Sequence, residues 1–195
     1  MKKKITLAVI CAVLSCVCLI GTTFAWLTDK TATITNTFTV GNIKISLEET
    51  KGTEVVGGRQ FKMIPGATIE KDPKVGVVDG SEACWLFVKI EETDNTLIDT
   101  TKKLVQYTVA DGWIQLEVDG NPVNGVYYRQ VDANPDTGVV DAVTYSVLAS
   151  DQVIINPDAT AADLAGATNT KLAFTAYAAQ QAGLTVEQAW ALFTA

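Results

Sequence analysis

Polar and apolar residues alternate strictly over residues 31–40, with threonine on every odd position and mostly apolar side chains between them. A period of two in β-branched sequence predicts a half-buried strand. Gly41-Asn42 interrupts the pattern, and Ile43, Ile45 and Leu47 resume it on the odd positions. That change of parity at a Gly-Asn pair predicts a bulge or a tight turn. Short strands are predicted over 60–64, ending in Pro65-Gly66, and over 67–71 and 75–78 on either side of Asp72-Pro73. Residues 85–91 predict a central strand. Trp85, Phe87 and Lys89 share one face and Leu86, Val88 and Ile90 the other, so both faces are substantially apolar and both are expected to be covered.

Further strand-length segments fall at 104–109, 113–118, 126–131, 142–148, 152–155 and 171–178. Asp111-Gly112 and Asp119-Gly120-Asn121-Pro122 supply turn chemistry between them. Helix is predicted in two places. Residues 157–165, stopped by Gly166, form a short alanine-rich stretch. Thr185 followed by Gln188 three residues later has the form of a capping box, and Val186, Ala189, Trp190 and Phe193 then fall on one face. Such a stripe packs a helix against a core. The pattern as a whole predicts an all-β chain: an antiparallel β-sandwich of jelly-roll type with one or two short helices.

The first residues follow another grammar. Lys2, Lys3 and Lys4 precede an apolar run over 5–20, and Gly21-Thr22-Thr23-Phe24-Ala25 closes it with small residues. This is the layout of a secretory signal peptide, residues 1–25, with cleavage expected between Ala25 and Trp26. A retained anchor is the alternative, since 5–27 nearly spans a bilayer, but no basic stop-transfer cluster follows Leu27. Residues 26–195 then form a secreted domain that meets the membrane only during export. The signal holds three of the 15 basic residues and none of the 22 acidic ones, so its removal takes the net charge from −7 to −10. It also holds Cys11, Cys16 and Cys18, leaving Cys84 as the one thiol of the mature chain. Within the apolar run Ala83-Cys84-Trp85-Leu86-Phe87-Val88, that thiol reads as buried and structural. With no internal disulfide to form, the fold must be held by its core.

Composition excludes much chemistry. The chain has no histidine, which removes Ser-His-Asp and Cys-His nucleophile systems and any zinc site built on His-Glu-x-x-His. A pI near 4.6 argues against nucleic acid as a partner. Neither a dinucleotide fingerprint nor a phosphate loop is present. Glu48-Glu49 and Glu91-Glu92 are sequence neighbours, so on a strand they point to opposite faces and read as solvated strand ends. Asp132-Ala133-Asn134-Pro135-Asp136-Thr137-Gly138 offers oxygens at alternate positions, yet Thr137 and Val143 stand where a calcium loop needs glycine and glutamate. A turn is the favoured reading there. No catalytic, cofactor-binding or metal-ligating residue is assigned, and no cofactor is expected.

Several stretches together resemble one family. Gly21-Thr22-Thr23-Phe24-Ala25-Trp26-Leu27-Thr28-Asp29 runs into Asn36-Thr37-Phe38-Thr39-Val40-Gly41-Asn42-Ile43. Ile64-Pro65-Gly66, the segment 82–90 and Phe174-Thr175-Ala176-Tyr177-Ala178 follow. In these the chain resembles the SipW-dependent secreted proteins of Gram-positive bacteria, the TasA/camelysin family. The resemblance implies processing by a SipW-type signal peptidase, a jelly-roll fold, and a structural role in the extracellular biofilm matrix or at the cell surface, with copies of itself as partners in a fibre. Camelysin-like members carry a metalloendopeptidase label. The missing histidine keeps a conventional zinc site from being transferred, so a non-enzyme is expected. A camelysin-type surface protease and a monomeric secreted binding module or adhesin stand as alternatives. For assembly, 26–40 is the candidate donor strand, with Ile34, Phe38 and Val40 filling a neighbour's groove. The same strand docking in its own sandwich is the competing expectation.

Overall fold

The computed structural model describes residues 41–56, 58–98 and 101–194. The expected signal peptide, the expected cleavage point between Ala25 and Trp26 and the candidate donor-strand positions Ile34, Phe38 and Val40 lie outside the described residues. The described part is all-β, with every strand pairing antiparallel. Its strands are β1 (Ile45–Glu48), β2 (Thr53–Val55), β3 (Gly58–Gln60), β4 (Thr68–Glu70), β5 (Lys74–Val77), β6 (Cys84–Thr93), β7 (Val105–Gln106), β8 (Ile114–Val118), β9 (Asn121–Val131), β10 (Val143–Ser146), β11 (Gln152–Ile155) and β12 (Lys171–Gln180). Two short helices, α1 (Ala161–Gly166) and α2 (Val186–Ala191), complete it. The strands form sheets β1-β5-β10, β4-β11-β7 and β12-β6-β9-β8, with β2-β3 as a separate hairpin.

Strand β6 organises the core. Its Cys84, Leu86, Val88 and Ile90 are buried against Val75 and Val77 of β5, Val105 of β7 and Val153 and Ile155 of β11. Phe87 points the other way and packs with Leu116, Val126, Ala179, Ala189 and Trp190. The two-sided covering expected from the alternation of 85–91 is therefore present, and its second cover is α2. The capping box of α2 is formed as expected: the Thr185 hydroxyl accepts from the Gln188 amide, and the Gln188 side chain accepts from the Thr185 amide. Helix α1 starts later than predicted because Thr160 builds a second capping box with Asp163 and so fixes the first turn at Ala161.

Other elements differ from expectation. Of the strand predicted over 60–64 only Gln60 lies in a strand: β3 precedes it, pairing Gly58–Gln60 with Thr53–Val55 in a hairpin the sequence did not announce. Strand β9 begins at Asn121, because Asp119 and Gly120 alone make the turn. Both have positive φ, 52° and 74°, as a two-residue hairpin with matching twist requires. Gly125 is fixed by space: a Cβ there would lie 2.3 Å from the Ile90 carbonyl oxygen.

Cys84 is fully buried, and burial pushes its thiol up to about 11. Its thiolate fraction at neutral pH is lower than that of an open thiol by on the order of 100-fold. In a form that begins at Trp26, whose one thiol is Cys84, a disulfide reagent is expected to label the native protein more slowly than the urea-unfolded protein by at least that factor. Equal rates would mean that the thiol is accessible.

Candidate functional site

Two clefts with separate linings stand out among the described residues. The larger, about 1210 Å³, is walled by the β2-β3 hairpin, the face of β4 and β11 and the first residues of β12. Leu47, Met63, Ile69, Leu164, Leu172 and Phe174 give it an apolar lining. Arg59, Lys71 and Lys171 bring positive charge to it, and Lys71 is the buried one. Lys71, itself buried, places Nζ 2.7 Å from Glu49 Oε1, 4.8 Å from the Phe61 ring centre and 5.1 Å from that of Phe174. A lysine so enclosed needs this carboxylate and these two ring faces in place of water. The neighbouring Asp72 holds the chain after β1, accepting from Thr50 Oγ1 at 2.6 Å, Thr50 N at 2.9 Å and Lys51 N at 2.8 Å. Arg59 Nη1 then ties the hairpin to the carbonyls of Thr50 and Gly52.

Beside this cleft runs strand β12, which also lies against β1. Strand β12 pairs with β6 through ten registered positions, from Lys171↔Thr93 to Gln180↔Cys84. It is the terminal strand of its sheet among the described residues. Long flat edges invite another strand.

The smaller cleft, about 780 Å³, is polar. Its centre is Glu92. Oε2 accepts from Lys103 Nζ at 2.6 Å and Asn95 Nδ2 at 3.0 Å, and Oε1 accepts from Tyr107 Oη at 2.8 Å. Burial works against the charged carboxyl, but the Lys103, Tyr107 and Asn95 donors together hold it below the usual carboxylate range. Burial, and then the bond to Glu92, raise the Tyr107 phenol. Asp94 has φ 47°, a left-handed bend that returns Asn95 towards Glu92 just past the end of the strand.

The sequence reading treated Glu91 and Glu92 alike. Glu91 is indeed exposed and pairs with Lys89 at 2.7 Å, whereas Glu92 faces the opposite side and is committed to three donors. The Glu92-x-x-Asn95 spacing followed by Tyr107 was the available signal, but nothing in periodicity distinguishes it from a polar strand end. Residues 132–138 form the expected turn. Asn134 Oδ1 accepts from the Asp136 amide, Asn134 Nδ2 donates to Asp141, and Asp132 accepts from Gln130 and Gln181.

A catalytic zinc takes three protein ligands, chiefly histidine, cysteine and carboxylate. With no histidine in the chain, no group of three such side chains comes together among the described residues. Cys84 is sealed in the core, and Glu92 is neutralised by its own donors. These residues do not fit a zinc centre.

Neither the curated proteins nor the solved structures contain a match to this chain. A family model does match, over residues 1–82, which is less than half of the chain and takes in β1 to β5. Over that stretch the chain is similar to the family described as camelysin metallo-endopeptidase.

Proposed function

We propose that this chain is a secreted structural subunit of a bacterial extracellular matrix or cell surface, and that it assembles into fibres by strand donation. The reading is carried by one juxtaposition: a ten-residue strand at the end of its sheet, β12, bordering a cleft that is apolar in part. The chain supplies a segment suited to that place. Residues 26–40 are β-prone in sequence and contain neither proline nor glycine, and a strand would put Ile34, Phe38 and Val40 on one face. An added strand gains main-chain hydrogen bonds from the β12 edge while its apolar face enters the cleft. Head-to-tail contacts of this kind do not close on themselves, so they extend. Cleavage between Ala25 and Trp26 by a SipW-type peptidase releases the segment only after export, which keeps assembly outside the cell. The similarity to the camelysin family over residues 1–82 agrees with a surface or secreted location.

The family description also supplies the second reading, a metalloendopeptidase. The committed carboxylates and absent histidine count against it, and the protein acts as a scaffold rather than a catalyst. Electron microscopy of the mature protein and of a form lacking residues 26–35 tests the scaffold. Fibres are expected from the first, and a folded monomer from the second. Normal fibres from the shortened form would refute donation. Casein digestion that disappears when the protein's own carboxylates are substituted would establish the protease instead.

A further inference from the structure

The Glu92 cluster holds more than an ion pair. Glu92 Oε2 touches two nitrogens of different chemistry: the Lys103 amine at 2.6 Å and the Asn95 amide at 3.0 Å. The Asn95 amide is held at both ends, with Nδ2 donating to the Val105 carbonyl at 2.9 Å and Oδ1 accepting from the Val105 amide at 2.8 Å. Tyr107 Oη fixes the other Glu92 oxygen at 2.8 Å. A nucleophile, a proton carrier in contact with both that nucleophile and the leaving nitrogen, and an N–H aimed at the carbonyl oxygen are the parts of an acyl-transfer site. Here nucleophile and acyl group belong to the same chain.

We propose that Lys103 and Asn95 form an intramolecular isopeptide bond, with Glu92 as the proton relay. The Lys103 ammonium passes one proton to Glu92 Oε2, and the freed Nζ lone pair attacks Cγ of Asn95. The Val105 N–H stabilises the negative charge that develops on Oδ1. Glu92 returns that proton to Nδ2, and the Cγ–Nδ2 bond breaks with its electron pair leaving on nitrogen as Oδ1 re-forms the carbonyl. A second proton from Nζ passes across Oε2 to the released ammonia, which departs as ammonium with the positive charge that Lys103 held. Nζ keeps one hydrogen as the new amide, and no oxidant or cofactor is consumed. The bond joins the chain just after β6 to the entry of β7, and so connects two sheets covalently in a mature chain whose single thiol is buried. It requires neither the donated strand nor the fibre.

The intact mass of the mature protein secreted from the full chain tests this. The wild-type protein is expected to be lighter than its sequence by one ammonia, with a tryptic fragment in which Lys103 is uncleaved and linked to Asn95. The K103R variant keeps the charge beside Glu92 but lacks the primary amine. It and E92Q are expected to show the full sequence mass while retaining the wild-type circular dichroism spectrum. A succinimide at Asn95 gives the same mass loss without any lysine, so a loss that persists in K103R overturns the proposal. So does a wild-type protein at full mass that trypsin cuts after Lys103, before and after long incubation at mildly alkaline pH. A loss that persists in E92Q overturns the relay.

Discussion

Replacing Phe87 with alanine is expected to cost about 3–5 kcal/mol of folding stability, the range for deleting a buried aromatic ring. Phe87 is fully buried, with ring centres of Trp190 at 5.4 Å, Phe193 at 6.0 Å and Tyr128 at 6.4 Å. The hole left behind has little means of closing. Its floor is β6, hydrogen-bonded on one side to β12 and on the other to β9, and its roof is α2, held at its start by the Thr185 capping box. Backbone ladders on both flanks keep the strand from moving into the space, so transfer and cavity terms add. Urea unfolding of the mature protein measures this as a lower midpoint at unchanged slope. Phe193, on the rim of the same ring cluster and partly exposed, serves as the comparison. A Phe87→Ala loss no larger than that of Phe193→Ala would mean that the second core is loosely packed.

Asp72→Asn is expected to cost on the order of 2 kcal/mol at neutral pH, through loss of charge-assisted bonds and exposure of donors to a side-chain amide. Burial alone would raise this carboxyl. The Thr50 hydroxyl and the Lys51 and Thr50 amides outweigh it and bring the group from 3.8 down to about 2. Because the folded value lies below the unfolded one, the stabilisation is complete above about pH 4 and disappears as pH falls through about 2. Wild type and D72N should therefore differ most in denaturant midpoint between pH 5 and 7 and converge near pH 2. A gap of constant size across that range would assign the cost to packing rather than to charge.

Strands rich in apolar residues were legible in the sequence because each has a face that the core buries. Residues 85–91 and 152–155 appear where they were expected, and the Thr185–Gln188 cap marks its helix to the residue. The β2-β3 hairpin was not legible. Thr53, Glu54 and Val55 are all exposed, so no burial imposes a period on them, and the hairpin is held by Arg59 reaching back to the carbonyls of Thr50 and Gly52. The sites follow the same division. Cys84 could be placed in the core from its apolar neighbours. Glu92 could not be told from Glu91, because its partners come from Asn95 beyond a left-handed residue and from Lys103 and Tyr107 at the next strand. The Lys71 pair depends likewise on rings contributed by Phe61 and Phe174, far apart in sequence.

The register of β12 on β6 has a mechanical side. A pull directed along β12 loads its ten paired positions in parallel, so the ladder must shear as a unit. A pull across the strand would instead peel the pairs away one at a time. Since β6 is anchored in packed side chains on both faces, tension arriving along this edge is delivered to the part of the molecule least able to yield. The β12–β6 ladder thus resists a pull along the strands more than one across them.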